Sequence, residues 1–285
     1  MILAWQGWKI EIPGRWSPVK IEGDGSTGSL LLADMHRPRL GIRWKEEQGR
    51  RFDAAAVVAK TMISEVGALA AAEARPVDKD SSDWESQILF EDREPPGRDV
   101  WVGYSHKSRR LFEVVYHAHH RDRLFRERLL PTLVDYPDKR EWSVFNLSCR
   151  ITANMSLVRH RLNAGDLGLM FEGTQRQAVT VRQIAVAKLA LLRQPMGKWI
   201  AEQASWRGNK FKLDQIPDNE ANAPRLLRRK IVRRRQFAFM WWLARGYVIL
   251  ACHDEVRDRL ILVDATDESL ADEVIKSVGW TNAPD

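Results

Sequence analysis

Few residues in this chain could do chemistry, and they fall in three places. The densest is His117-Ala118-His119-His120. On an extended strand His117 and His119 share one face about 6.6 Å apart, which suits two imidazoles on one metal ion. Spacing places no third ligand, and the cluster sits at a strand-to-helix junction, where histidines serve as exposed capping groups. The second place is Cys252-His253-Asp254-Glu255. Neighbours on a strand point to opposite faces, so Cys252 and His253 do not meet as nucleophile and base, and Cys252 reads as a buried structural residue. His117, His119 and His253 are therefore the metal-ligand candidates, and no catalytic residue is assigned. The third place is Arg225–Arg235, with seven basic residues in eleven: Arg225, Arg228, Arg229, Lys230, Arg233, Arg234 and Arg235. Extended, it splits into Arg229, Ile231, Arg233 and Arg235 on one side and Arg228, Lys230, Val232 and Arg234 on the other. Neither side is a core face, which predicts an edge strand or a projecting hairpin arm. Charge on an edge strand guards against sheet-to-sheet association. It also attracts anions: an acidic protein surface, nucleic acid phosphates or lipid headgroups.

Other motifs are missing. There is no GxxxxGK[ST] loop and no GxGxxG after a strand. Gly23–Gly28, GDGSTG, has no helix behind it to supply an N-terminal dipole and reads as a turn. GxSxG, HExxH and paired-carboxylate motifs do not occur, so no cofactor is expected. Two cysteines, Cys149 and Cys252, lie far apart outside any CxxC spacing, which disfavours a disulfide framework and fits a reducing cytoplasm. No apolar run reaches the roughly 20 residues that cross a bilayer, and MILAWQGWKIEIPG lacks the basic region of a signal peptide. The net charge of +7 is local: residues 141–285 carry 22 basic and 16 acidic side chains, and without Arg225–Arg235 they would be slightly acidic. Twelve tryptophans supply large buried rings.

The elements that must hold these residues repeat. Residues 100–136 and 239–280 each run from Trp through an Arg-bearing turn to an apolar strand ending in His, then an amphipathic helix, the mark of an internal duplication. In the first half, strands are expected at Trp8–Ile12, Ser29–Met35 and Arg39–Lys45, and a helix over 52–74. Strands at Trp84–Glu91, Asp99–His106 and Leu111–His117 and a helix over Arg121–Val134 complete it. The second half follows with strands at Glu141–Ile151, Asp166–Gly173 and Ala178–Val186, Trp142 standing near the position of Trp8. A helix at Pro195–Ala204 comes next, then strands near Phe211–Gln215, Arg228–Gln236, Phe237–Leu243 and Tyr247–His253. The closing helix is Glu268–Ser277, capped by Thr266 or Asp267. The expected fold class is α+β: two tandem βββαβββα-type repeats, residues 1–138 and 139–285, with antiparallel sheets covered by helices.

Pro13-Gly14-Arg15-Trp16, behind the strand Trp8–Ile12, resembles the "P-x-x-W" segment of the Mog1/PsbP-like family, and the element order is similar over most of 1–136 and, more faintly, 141–280. The second repeat has Ser148-Cys149-Arg150-Ile151 in place of the proline turn. The resemblance implies a non-catalytic binding module. The reading is a cytoplasmic binding or adaptor protein that docks an acidic protein surface through the 225–235 run. A nucleic-acid-associated protein using the same run is the alternative, and a metal-dependent enzyme centred on the histidines is a third.

Overall fold

The computed structural model describes residues 1–47, 53–77, 83–92, 97–117, 123–135, 141–163, 165–174, 177–192, 196, 199, 211–213, 227–233 and 246–279. It divides into two compact units, Met1–Ser148 with Gly279–Asp285, and Cys149–Val278.

The first unit opens on a hairpin, β1 (Ile2–Trp5) and β2 (Trp8–Glu11). Gln6 and Gly7, both at positive φ, close it as a two-residue turn of the hairpin-favouring hand. Next come β3 (Ser17–Gly23), β4 (Thr27–Ala33), β5 (Pro38–Glu46), helix α1 (Ala54–Val66) and the single turn α2 (Ala68–Ala71). Then follow β6 (Arg75–Pro76), β7 (Ser86–Glu91), β8 (Arg98–Ser105), β9 (Arg110–His117) and β10 (Val134–Asp135). Seven of these form one antiparallel sheet in the order β3-β4-β5-β9-β8-β7-β6. A smaller sheet, β10-β2-β1-β11-β12, adds the hairpin β11 (Glu141–Val144) and β12 (Leu147–Arg150).

Both faces of the first seven-stranded sheet are covered. On one, Ala54, Val58 and Met62 of α1, spaced four apart, bury against Val100, Val102, Tyr104 and Leu111. On the other the cover is aromatic and comes mostly from strands and turns. Trp8 of the hairpin meets Trp44 and Phe112, with ring centroids 5.6 and 6.5 Å away, and Trp16 stacks on Tyr116, which stacks on Phe125.

The second unit repeats the sheet order with β13 (Met155–Asn163), β14 (Asp166–Gly173), β15 (Ala178–Ala185), β16 (Phe211–Leu213), β17 (Leu227–Arg233), β18 (Gly246–Asp254) and β19 (Arg259–Ala265): β13-β14-β15-β19-β18-β17-β16. Its helices are α3 (Ala187–Leu192) and α4 (Glu268–Ser277). Helix α4 buries Leu270, Ala271 and Val274, and its N-cap is Asp267, whose carboxylate accepts from Leu270 N at 3.1 Å.

The α+β class with helix-covered sheets is overturned. Among the described residues nineteen strands in three antiparallel sheets dominate and only α1 and α4 reach ten residues, so the fold is β-rich. Two local causes shorten the expected helices. The helix expected over 52–74 breaks at Gly67, whose N–H makes the last i→i−4 bond to the Ile63 carbonyl and whose φ of 85° then turns the chain out of the helix. The helix expected over Arg121–Val134 is only a π turn at Phe125–Leu129 and a 3₁₀ turn at Leu130–Thr132, since Pro131 has no N–H to continue an α-helix. The strand expected over Glu141–Ile151 is the hairpin β11–β12, turned at Phe145 and Asn146, both at positive φ. By hairpin position Trp142 corresponds to Leu3, not Trp8. The helix expected at Pro195–Ala204 and the strand expected at Phe237–Leu243 lie largely or wholly outside the described residues.

Candidate functional site

The histidines do not assemble. His117 ends β9 opposite Arg98, and partial burial, then the Arg98 guanidinium, holds its pKa below the ordinary value. A fixed cation beside the ring also opposes a metal ion. His119 lies outside the described residues. His253 lies in the other unit on β18, opposite Leu260. Among the described residues no group of three His, Cys, Asp or Glu side chains is placed to hold a metal ion. Cys252 pairs with Ile261 and His253 with Leu260, so the two alternate along the strand. Cys149 is a free, buried thiol whose pKa burial pushes up to about 12. The Gly23–Gly28 segment is the β3–β4 turn: the Asp24 carboxylate accepts from Ser26 N at 2.7 Å and Thr27 N at 3.1 Å.

The basic run meets the expected edge position in part. Its residues 227–233 form β17, which lies between β18 and β16. Arg228, Arg229 and Lys230 stand opposite Leu250, Ile249 and Val248. Among the described residues β16 flanks only Ile231–Arg233 on the outer side. Arg225, Arg234 and Arg235 lie outside the described residues.

Shared topology lets each β17 position be compared with its counterpart in the first unit. The β8–β9 turn carries Arg109 at φ 56° and the β18–β19 turn carries Asp258 at φ 52°, one residue before Arg110 and Arg259 respectively. Counting back, Trp101 corresponds to Leu250 and Val100 to Ile249. Their partners on the next strand are Leu89 and Phe90 in the first unit, and Arg228 and Arg229 in the second. Glu91, opposite Asp99, corresponds to Lys230, opposite Val248. Leu-Phe-Glu in one sheet is thus Arg-Arg-Lys in the other. The strand position itself does not require cations. This register also shows that His117 and His253 are not equivalent: His253 corresponds to Tyr104.

Two polar constellations in the first unit escaped the sequence reading. Buried Arg110 pairs with buried Asp135, which also accepts from Ser108 Oγ. Its guanidinium donates to the carbonyls of Gln6 (2.7 Å), Gly7 (3.1 Å) and Gly25 (3.2 Å). That knot ties the β1–β2 turn, the β3–β4 turn and β10 to the start of β9. The second is Glu113, 9% exposed, hydrogen-bonded to Glu65, with Arg43 Nη1 2.9 Å from Glu113 and 3.3 Å from Glu65. Burial raises the Glu113 pKa to about 7 against the pull of Arg43, and the neighbouring Glu65 adds to the rise. An acid inside the apolar run LFEVV was the available signal. Its counterpart in the second unit is Leu262.

No family model, curated protein or solved structure matches the chain.

Proposed function

We propose that this chain is a non-catalytic binding protein that docks an acidic protein partner on strand β17 of its second unit, with Arg228, Arg229, Lys230 and Arg233 as the attracting charges and Arg225, Arg234 and Arg235 extending them. The observation that carries the reading is the exchange of Leu89-Phe90-Glu91 for Arg228-Arg229-Lys230 at matched sheet positions. Cations set beside the apolar strand β18 are not needed for pairing, since the other sheet pairs the same positions without them. Protection of a sheet edge accounts for charge at Arg228–Lys230, which no described residue of β16 pairs, but it does not select the sign, and three cations in a row attract an anionic partner. The resemblance to the Mog1/PsbP-like family supports a binding role. Among the described residues no helix is long and apolar enough to cross a membrane; the cytoplasm, where cysteines that form no disulfide stay reduced, is the proposed location.

Anisotropy titrations with a labelled Glu/Asp-rich 20-residue peptide, a 20-nucleotide single strand and a 20-bp duplex, at 50 and 200 mM salt, test this. The expected outcome is peptide binding that weakens with salt, with the nucleic acids bound more weakly than the peptide. Tighter binding to either nucleic acid, falling steeply as counterions compete, replaces the proposal with a nucleic-acid role. No binding to any probe at 50 mM salt overturns both.

A further inference from the structure

The first unit holds a cleft of about 470 Å³, within the range of small-ligand sites, between β6–β7 and the turns that replace the expected closing helix. Its apolar lining includes the buried side chains of Trp84, Leu89 and Leu133. Trp84 is fixed edge-on against Trp101, with ring centroids 4.8 Å apart, so the wall is rigid. A buried polar group, Gln87, also lines it, its Oε1 accepting from Trp101 Nε1 at 3.2 Å. The exposed lining is charged: Arg75 and Arg126 against the single carboxylate of Glu91. Arg126 Nη1 lies 3.5 Å from Glu91, with both side chains substantially exposed, an ion pair that solvent keeps weak and exchangeable. Among the described residues the charged lining therefore sums to one positive charge beside the apolar wall of Trp84, Leu89 and Leu133.

The geometry points to a binding site for a small organic carboxylate with a planar apolar body. The ring lies along Trp84 and the leucines, and the carboxylate takes the guanidinium fork of Arg126, with Arg75 as the second cation. A monoanion balances the lining, whereas a dianionic phosphate would meet Glu91 with excess charge. The site is independent of β17, which belongs to the other unit, so either can fail without the other.

Calorimetric titration of the full chain with 2-naphthoate, and with its neutral analogue 2-naphthamide, tests the assignment. Naphthoate is expected to bind at least about tenfold more tightly than the amide, the worth of a charge-assisted pair. The exposed substitutions Arg75→Ser and Arg126→Ser each shrink that preference, Glu91→Gln enlarges it by freeing Arg126, and Leu89→Trp, which fills the cleft, abolishes binding of both compounds. No naphthoate binding, equal affinity for acid and amide, or a preference that survives both serine substitutions overturns it.

Discussion

At the scale of single residues, the two buried polar knots of the first unit make opposite predictions about charge. Arg110 and Asp135 are almost fully buried, and Arg110 finds three backbone carbonyls besides its carboxylate. Arg110→Ala leaves Asp135 buried without its countercharge and is expected to cost about 3–5 kcal/mol in urea unfolding. Glu113 is the reverse case. Its folded pKa, about 7, lies above the ordinary 4.5, so the folded state binds the proton more tightly than the unfolded chain does. Its favourable contribution is complete below pH 4.5 and is lost as pH rises through 7. Glu113→Gln is therefore expected to gain on the wild type by on the order of 1–3 kcal/mol between pH 4.5 and 8. An unchanged difference across that range would contradict the raised pKa of Glu113. Neither knot was legible in the sequence, because Arg110 and Asp135 are joined only by the sheet, and a lone Glu in an apolar strand reads as a surface residue.

Individual elements were legible where local chemistry decides them. The strand expected at Arg39–Lys45 spans Pro38–Glu46, and the closing helix Glu268–Ser277 has its cap at Asp267. Asp267→Ala is expected to cost about 1 kcal/mol and Asp267→Asn much less, since either oxygen accepts from Leu270 N. Illegible elements were those set by backbone hand or tertiary packing. Gln6 and Phe145 at positive φ hid two hairpin turns, because neither residue advertises that conformation. Around Pro131 the chain forms only π and 3₁₀ turns, and the aromatic stack Trp16–Tyr116–Phe125 holds that segment instead. Strand β8 adds a test. A Cβ on Gly103 would come within 2.3 Å of the Trp101 ring, which supports Trp84 in the cleft wall. Gly103→Ala is expected to cost about 1–3 kcal/mol by overpacking, and to weaken naphthoate binding as well.

In the whole molecule, one seven-stranded topology occurs in both units. The sequence shows a repetition, but its Trp and His residues are poor markers of register, because both shift between strands. The positive-φ turn residues Arg109 and Asp258 fix the register instead, and that register isolates Arg228-Arg229-Lys230 as a departure from the scaffold. The central claim, that this departure serves docking, is tested most directly by giving β17 the residues that the first unit tolerates. Arg228→Leu, Arg229→Phe and Lys230→Glu are made together, folding is confirmed by an unchanged circular dichroism spectrum, and the acidic peptide is titrated at 50 mM salt. A loss of affinity of about tenfold or more is predicted for removing three attracting charges and adding one repelling carboxylate. Affinity equal to that of the wild type would contradict the account.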